Sequence, residues 1–82
     1  MNTLTEETIR NAITKRYAAL VRSGSSDSFR TFQAACKQIQ QAFPRPENTM
    51  IVVSWCSLNE EALISIESDD VTTSFTMDYA SI

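Results

Sequence analysis

Carboxylates stand in three adjacent pairs along this chain, Glu6-Glu7, Glu60-Glu61 and Asp69-Asp70, and two thiols stand at Cys36 and Cys56. Paired carboxylates can divide general acid and general base roles, and a thiolate can act as nucleophile or metal ligand when a neighbouring base or cation activates it. The surrounding residues do not support either chemistry. Neighbouring residues on a strand point to opposite faces, so neither of the later pairs forms a dyad without a special turn geometry. The chain contains no histidine, which removes Ser-His and Cys-His nucleophile pairs and every His-based metal site. Its only glycine is Gly24, so no glycine-rich phosphate loop exists. Asp69-Asp70 lacks the spaced oxygen ligands of a calcium loop. The two cysteines are too few and too widely separated for a disulfide framework or a zinc site. They read as small apolar core residues, with a disulfide joining helix to strand as the other reading. We therefore expect no enzyme: no catalytic residues, no cofactor and no metal.

The distribution of charge carries more information than these isolated groups. All seven bases, Arg10, Lys15, Arg16, Arg22, Arg30, Lys37 and Arg45, precede residue 46, where three acids leave a balance of +4. From residue 46 onward there are seven acids, Glu47, Glu60, Glu61, Glu67, Asp69, Asp70 and Asp78, and no base, a balance of −7. A segment of this kind cannot neutralise itself, so its field is met by the helices, by solvent or by a partner.

At 82 residues the chain forms one domain, 1–82, with a small core. Its 43% hydrophobic and 21% charged composition is that of a globular protein rather than a disordered one. No apolar run exceeds the four residues Met50 to Val53, far short of a bilayer span. The N-terminus has neither the basic start nor the apolar middle of a secretion signal. These features predict a cytoplasmic protein without a membrane partner, and the initiating Met reads as the start of a complete small open reading frame.

Thr5 is placed as a helix N-cap, with Glu6 and Glu7 in the first turn where the helix dipole favours anions, and Leu4 and Ile9 spaced as a hydrophobic staple. Ile9, Ala12, Ile13, Tyr17, Leu20 and Val21 follow at the spacing of one helical face, predicting a helix over about 6–22 that Gly24 stops. Ser25-Ser26-Asp27-Ser28 offers N-caps for a second helix over about 27–43. Its stripe is Phe29, Phe32, Cys36, Ile39 and Phe43, and Pro44 ends it. A nucleotide-stacking role for the phenylalanines is conceivable, but helical spacing assigns them to the core. Gln33, Lys37, Gln40 and Gln41 fall on the opposite face with Arg30 one turn earlier. Such a stripe could meet phosphate but reads first as a solvated surface.

After the linker Pro44-Arg45-Pro46-Glu47-Asn48, Met50 to Cys56 predicts a strand over about 50–56, and we place the centre of the fold there. A second strand over about 62–67 alternates Ala62, Ile64 and Ile66 with Leu63, Ser65 and Glu67; a short helix over about 59–64 is the competing reading. Ser68-Asp69-Asp70 fits a tight turn. The third strand, about 71–79, alternates Val71, Thr73, Phe75, Met77 and Tyr79 with Thr72, Ser74, Thr76 and Asp78. The expected fold class is α+β, ααβββ: a two-helix antiparallel hairpin packed on one face of a three-stranded antiparallel β-meander, with the second strand central. The other sheet face would then be polar and anionic. The candidate partner-binding residues are Glu60, Glu61, Glu67, Asp69, Asp70 and Asp78.

In size, acidity, lack of cofactor motifs and α+β economy, the whole chain resembles the small inhibitors encoded by phages and mobile elements, anti-CRISPR proteins among them. The resemblance lies in the profile, and no motif carries a residue role across. It implies binding to a bacterial defence complex inside the host cell and blocking of target-DNA recognition. The expected function is accordingly a protein inhibitor or adaptor that occupies a basic, nucleic-acid-binding surface of a protein partner. Carboxylates there act as a DNA mimic, since Arg and Lys recognise carboxylate and phosphate alike. The alternative is a small binding or assembly module using the basic helix face on nucleic acid or a strand edge for a homodimer. Four bases, Lys15 and Arg22 on one face of the first helix and Arg30 and Lys37 on one face of the second, have no interleaved aromatics and disfavour direct nucleic-acid binding, and we expect a monomer unless a strand edge pairs.

Overall fold

The computed structural model describes residues 4–82; Met1, Asn2 and Thr3, the start of the segment read as lacking a secretion signal, lie outside them. Two helices, α1 (Glu6–Arg22) and α2 (Ser28–Ala42), precede three strands, β1 (Met50–Cys56), β2 (Glu61–Glu67) and β3 (Thr72–Asp78), and a short 3-10 turn at Tyr79–Ser81. The fold is the expected ααβββ arrangement, with an antiparallel sheet in the order β1-β2-β3.

Local chemistry explains where each helix begins and ends. The Thr5 side chain accepts a hydrogen bond from the Thr8 backbone at 3.2 Å, and Asp27 does the same for Arg30 at 3.0 Å, so each cap satisfies a donor the helix cannot. Beyond α1, Gly24 takes φ +107°, its N–H donates to the Val21 carbonyl, and the Ser25 N–H donates to the Leu20 carbonyl. Together these form a Schellman termination, which needs the left-handed conformation that glycine adopts without penalty. At the end of α2, Phe43 precedes Pro44 and is extended (φ −69°, ψ 129°), because the proline ring excludes the helical conformation from the residue before it.

Between the layers lie Ile9 and Ile13 of α1, Phe32, Ala35, Cys36 and Ile39 of α2, and Ile51, Ala62, Ile64, Ile66, Phe75 and Met77 of the sheet. Ile51, Ile66 and Thr73 form one cross-strand row of the helix-facing side; Val53, Ile64 and Phe75 form the next, and Trp55, Ala62 and Met77 the third. Fully burying a side chain such as Ile64 stabilises the fold by about 1.5–3 kcal/mol, so these rows hold the two layers together. An aromatic group closes one end of the core. Phe32 meets Trp55, Tyr17 and Tyr79 at ring distances of 5.9, 6.3 and 6.4 Å, and Phe29 meets Trp55 at 5.9 Å. The phenylalanines of α2 are thus packing residues: Phe32 is fully buried, and Phe43 packs partly against the core.

Several expectations require correction. The fold is centred on β2 rather than on Met50–Cys56, because β1 pairs on one side only. Residues 59–64 form no helix; a turn leads directly into β2, with Glu60 in the left-handed region at φ 51°. Val21 continues the apolar spacing of α1 but is 45% exposed, whereas Leu20 beside it packs against the core. Val71 lies in the β2–β3 turn rather than on β3 and is 60% exposed. The helix-to-strand disulfide does not form. Both thiols are free, Cys36 in the core and Cys56 in the Glu61–Asp78 row of the opposite sheet face.

Candidate functional site

The pleat decides which strand residues leave the core. On the face away from the helices, Met50, Glu67 and Thr72 form one end row, Val52, Ser65 and Ser74 the next, Ser54, Leu63 and Thr76 the third, and Cys56, Glu61 and Asp78 the other end. The middle of this face carries no charge. Ser65 and Ser74 hydrogen-bond across the strands at 3.1 Å, and Leu63 is 45% exposed. Carboxylates therefore occur only in the end rows and the turns beyond them.

The six candidate residues divide into two groups. Glu60, Glu61 and Asp78 lie at one end of β2, and Glu67, Asp69 and Asp70 at the other. Six residue steps separate Glu61 from Glu67, roughly 20 Å along the strand. Asp69 and Asp70 are exposed at the tip of a tight turn whose flanks are joined by Ser68, which donates to the Val71 carbonyl from both its backbone and its hydroxyl at 3.0 Å. Glu61, Glu67 and Asp78 are half-buried by their strand neighbours. Glu60 accepts a hydrogen bond from the Tyr79 hydroxyl at 3.4 Å. The Glu60 charge, with desolvation and that hydrogen bond adding to it, holds the Tyr79 phenol above its ordinary pKa. Leu58, in the turn just before Glu60, is 95% exposed. Among the described residues, no group of three or more His, Cys, Asp or Glu side chains gathers as a metal site, and no helix is long and apolar enough to cross a membrane.

The bases are deployed differently. Arg10 donates to Glu6 at 2.7 Å and to the Thr76 carbonyl of β3 at 3.0 Å, and its guanidinium lies 4.8 Å from the centre of the Phe75 ring. It ties α1 to β3. Arg30 pairs loosely with Asp27 at 4.0 Å, within its own helix turn. Lys37 and Arg45 instead line a groove of about 650 Å³ between α2 and β1, together with Gln33, Gln40, Gln41 and Trp55. Helical spacing alone groups Gln33, Lys37, Gln40 and Gln41 on one face of α2. Arg45 and Trp55 join them only because α2 lies over β1.

Comparison with protein-family models, with curated proteins and with solved structures gives no match.

Proposed function

We propose that this protein is a non-enzymatic inhibitor or adaptor that binds a basic surface of a protein partner, one that ordinarily holds nucleic acid, through the carboxylates at the two ends of its uncovered sheet face and in the turns beside them. The observation that carries this reading is the placement of acidic residues at both ends of that face, Glu60, Glu61 and Asp78 at one and Glu67, Asp69 and Asp70 at the other, in a half of the chain without a base. Two anionic groups spaced along a rigid strand fit two separated cationic clusters better than a single one. The uncharged middle, with Leu63, can lie against the apolar surface between them. Leu58 adds an apolar contact beside the Glu60 group. Desolvated carboxylates gain most from Arg, whose planar fork donates two parallel hydrogen bonds to the two carboxylate oxygens. An anti-CRISPR protein acting on a bacterial defence complex is the specific form of this proposal.

The test is affinity capture of the tagged protein from a host or target-cell lysate treated with nuclease, run beside the charge-reversed triple variant Glu67→Lys, Asp69→Lys, Asp70→Lys. Retention of a nucleic-acid-handling protein by the wild type, lost at high salt and absent with the triple variant, supports the reading. Undiminished retention by a triple variant with an unchanged circular dichroism spectrum removes that end of the face from the site.

A further inference from the structure

The sheet has two edges, and the helices treat them unequally. On the β3 side a helix side chain already occupies a backbone acceptor, through the bond from Arg10 to the Thr76 carbonyl. On the β1 side, among the described residues, no side chain or loop backbone hydrogen-bonds the strand. β1 runs for seven residues without a proline or a lysine, two of the devices that commonly prevent a further strand from pairing. Beside it lies the α2 groove, whose charged lining, Lys37 and Arg45, is entirely positive although the whole chain carries −3. Three glutamine amides, Gln33, Gln40 and Gln41, add neutral hydrogen-bonding groups along the same wall.

We infer that this groove is a binding site for an extended, acidic peptide segment of another protein, which adds a fourth strand to the β1 edge and sets carboxylate side chains against Lys37 and Arg45. An added strand bonds the backbone groups that β1 turns away from β2. Its alternate side chains then point under α2, where the cations and amides wait. The chemistry selects this occupant over two others. A nucleic acid has no backbone to match a strand edge, and a polyanion is repelled at longer range by an acidic sheet, whereas a short peptide with a few carboxylates responds mainly to the local pair of bases. Trp55 is also held edge-on by Phe29 and Phe32 and is only 37% exposed, so it offers little of a base-stacking platform. A second copy paired β1 to β1 would bring two basic grooves together without a carboxylate between them. The site is separate from the carboxylates of the proposed partner surface and can fail or hold independently of them.

Trp55 is the only tryptophan and lines the groove, so its emission reports occupancy directly. The experiment titrates the full chain with an acetylated, amidated octapeptide of alternating valine and glutamate, with its valine–lysine counterpart and with single-stranded oligothymidylate. The valine–glutamate peptide is expected to shift the Trp55 emission and to bind about tenfold or more tightly than the lysine peptide. In the double variant Lys37→Glu, Arg45→Glu that preference is expected to invert, whereas the equally charged variant Lys15→Glu, Arg22→Glu, altered away from the groove, is expected to keep it. Equal affinity for the two peptides, the absence of any response, or an unchanged preference in the double variant would overturn the proposal. Tighter binding of oligothymidylate would do so as well, and an emission shift on dilution without peptide would place a second copy in the groove instead.

Discussion

The two edge strands are built from similar material and meet different fates. β1 (Met50–Cys56) and β3 (Thr72–Asp78) each contain seven residues, each pair only with β2, and each turn an apolar set toward the helices. Their difference lies in the helix above. α1 sends Arg10 across to β3, where it bonds the Thr76 carbonyl and lies over Phe75. Over β1, α2 places phenylalanines that pack on Trp55, and beside them glutamine amides and Lys37, which with Arg45 of the linker bond no part of the strand. One edge is tied down and the other is left open beside a basic groove. Whether a helix side chain bonds an edge strand thus depends on the one residue Arg10 as much as on the strand sequence.

The largest effects should come from the buried rings that fix each edge. Phe32→Ala and Phe75→Ala should each cost about 3–5 kcal/mol in chemical denaturation. Only Phe32→Ala removes a ring that touches Trp55, so only it should shift native-state Trp55 emission to the red. An equal shift in both variants would show that the two ends of the core are not packed separately.

A pH series sharpens the same contrast. Cys36 lies in α2 on the β1 side, and burial pushes its thiol from 9.0 to about 12. As pH rises the unfolded chain loses this proton first, so the folded state holds the extra proton. Stability is therefore fully present below pH 9 and falls progressively toward pH 12. Cys36→Ala should flatten that alkaline decline, as seen in denaturation midpoints measured across the range. A decline of unchanged steepness would show that the Cys36 proton does not govern it. Tyr79 adds a smaller loss in the same direction above its ordinary value of 10.0.

Arg10→Ala should convert the β3 edge into one resembling β1. Its exposed ion pair contributes little, so the expected cost of about 1–2 kcal/mol comes mainly from the bond to the Thr76 carbonyl and the contact with Phe75. Faster amide exchange should appear in β3 and not in β1. Uniform acceleration across the sheet would mean that Arg10 supports the fold as a whole rather than one edge.

Much of the fold was legible in the sequence because its punctuation is strong. Thr5, Asp27, Gly24 and Pro44 bound both helices through chemistry local to each residue, and β1 was found at its observed limits. What could not be read depends on neighbours distant in the chain. The apolar run Met50–Val53 marks a strand buried on part of both faces, but Val52 turns to the uncovered face, and nothing local shows how far the opposite layer covers a strand. Val21 and Val71 match the periods of their elements yet are exposed, at 45% and 60%. The candidate carboxylates were identifiable as a set, but their separation into two groups needed the register of β2 against β3. The groove was least visible, since Arg45 and Trp55 join the α2 amides only after the linker folds the chain back.

The most direct test of the unequal edges is amide hydrogen exchange by NMR on the full chain, with and without the valine–glutamate octapeptide. The account predicts that β1 amides turned away from β2 exchange readily in the free protein and become protected on binding, while β3 amides do not change. Protection spread equally over both edge strands, or confined to β3, would contradict it.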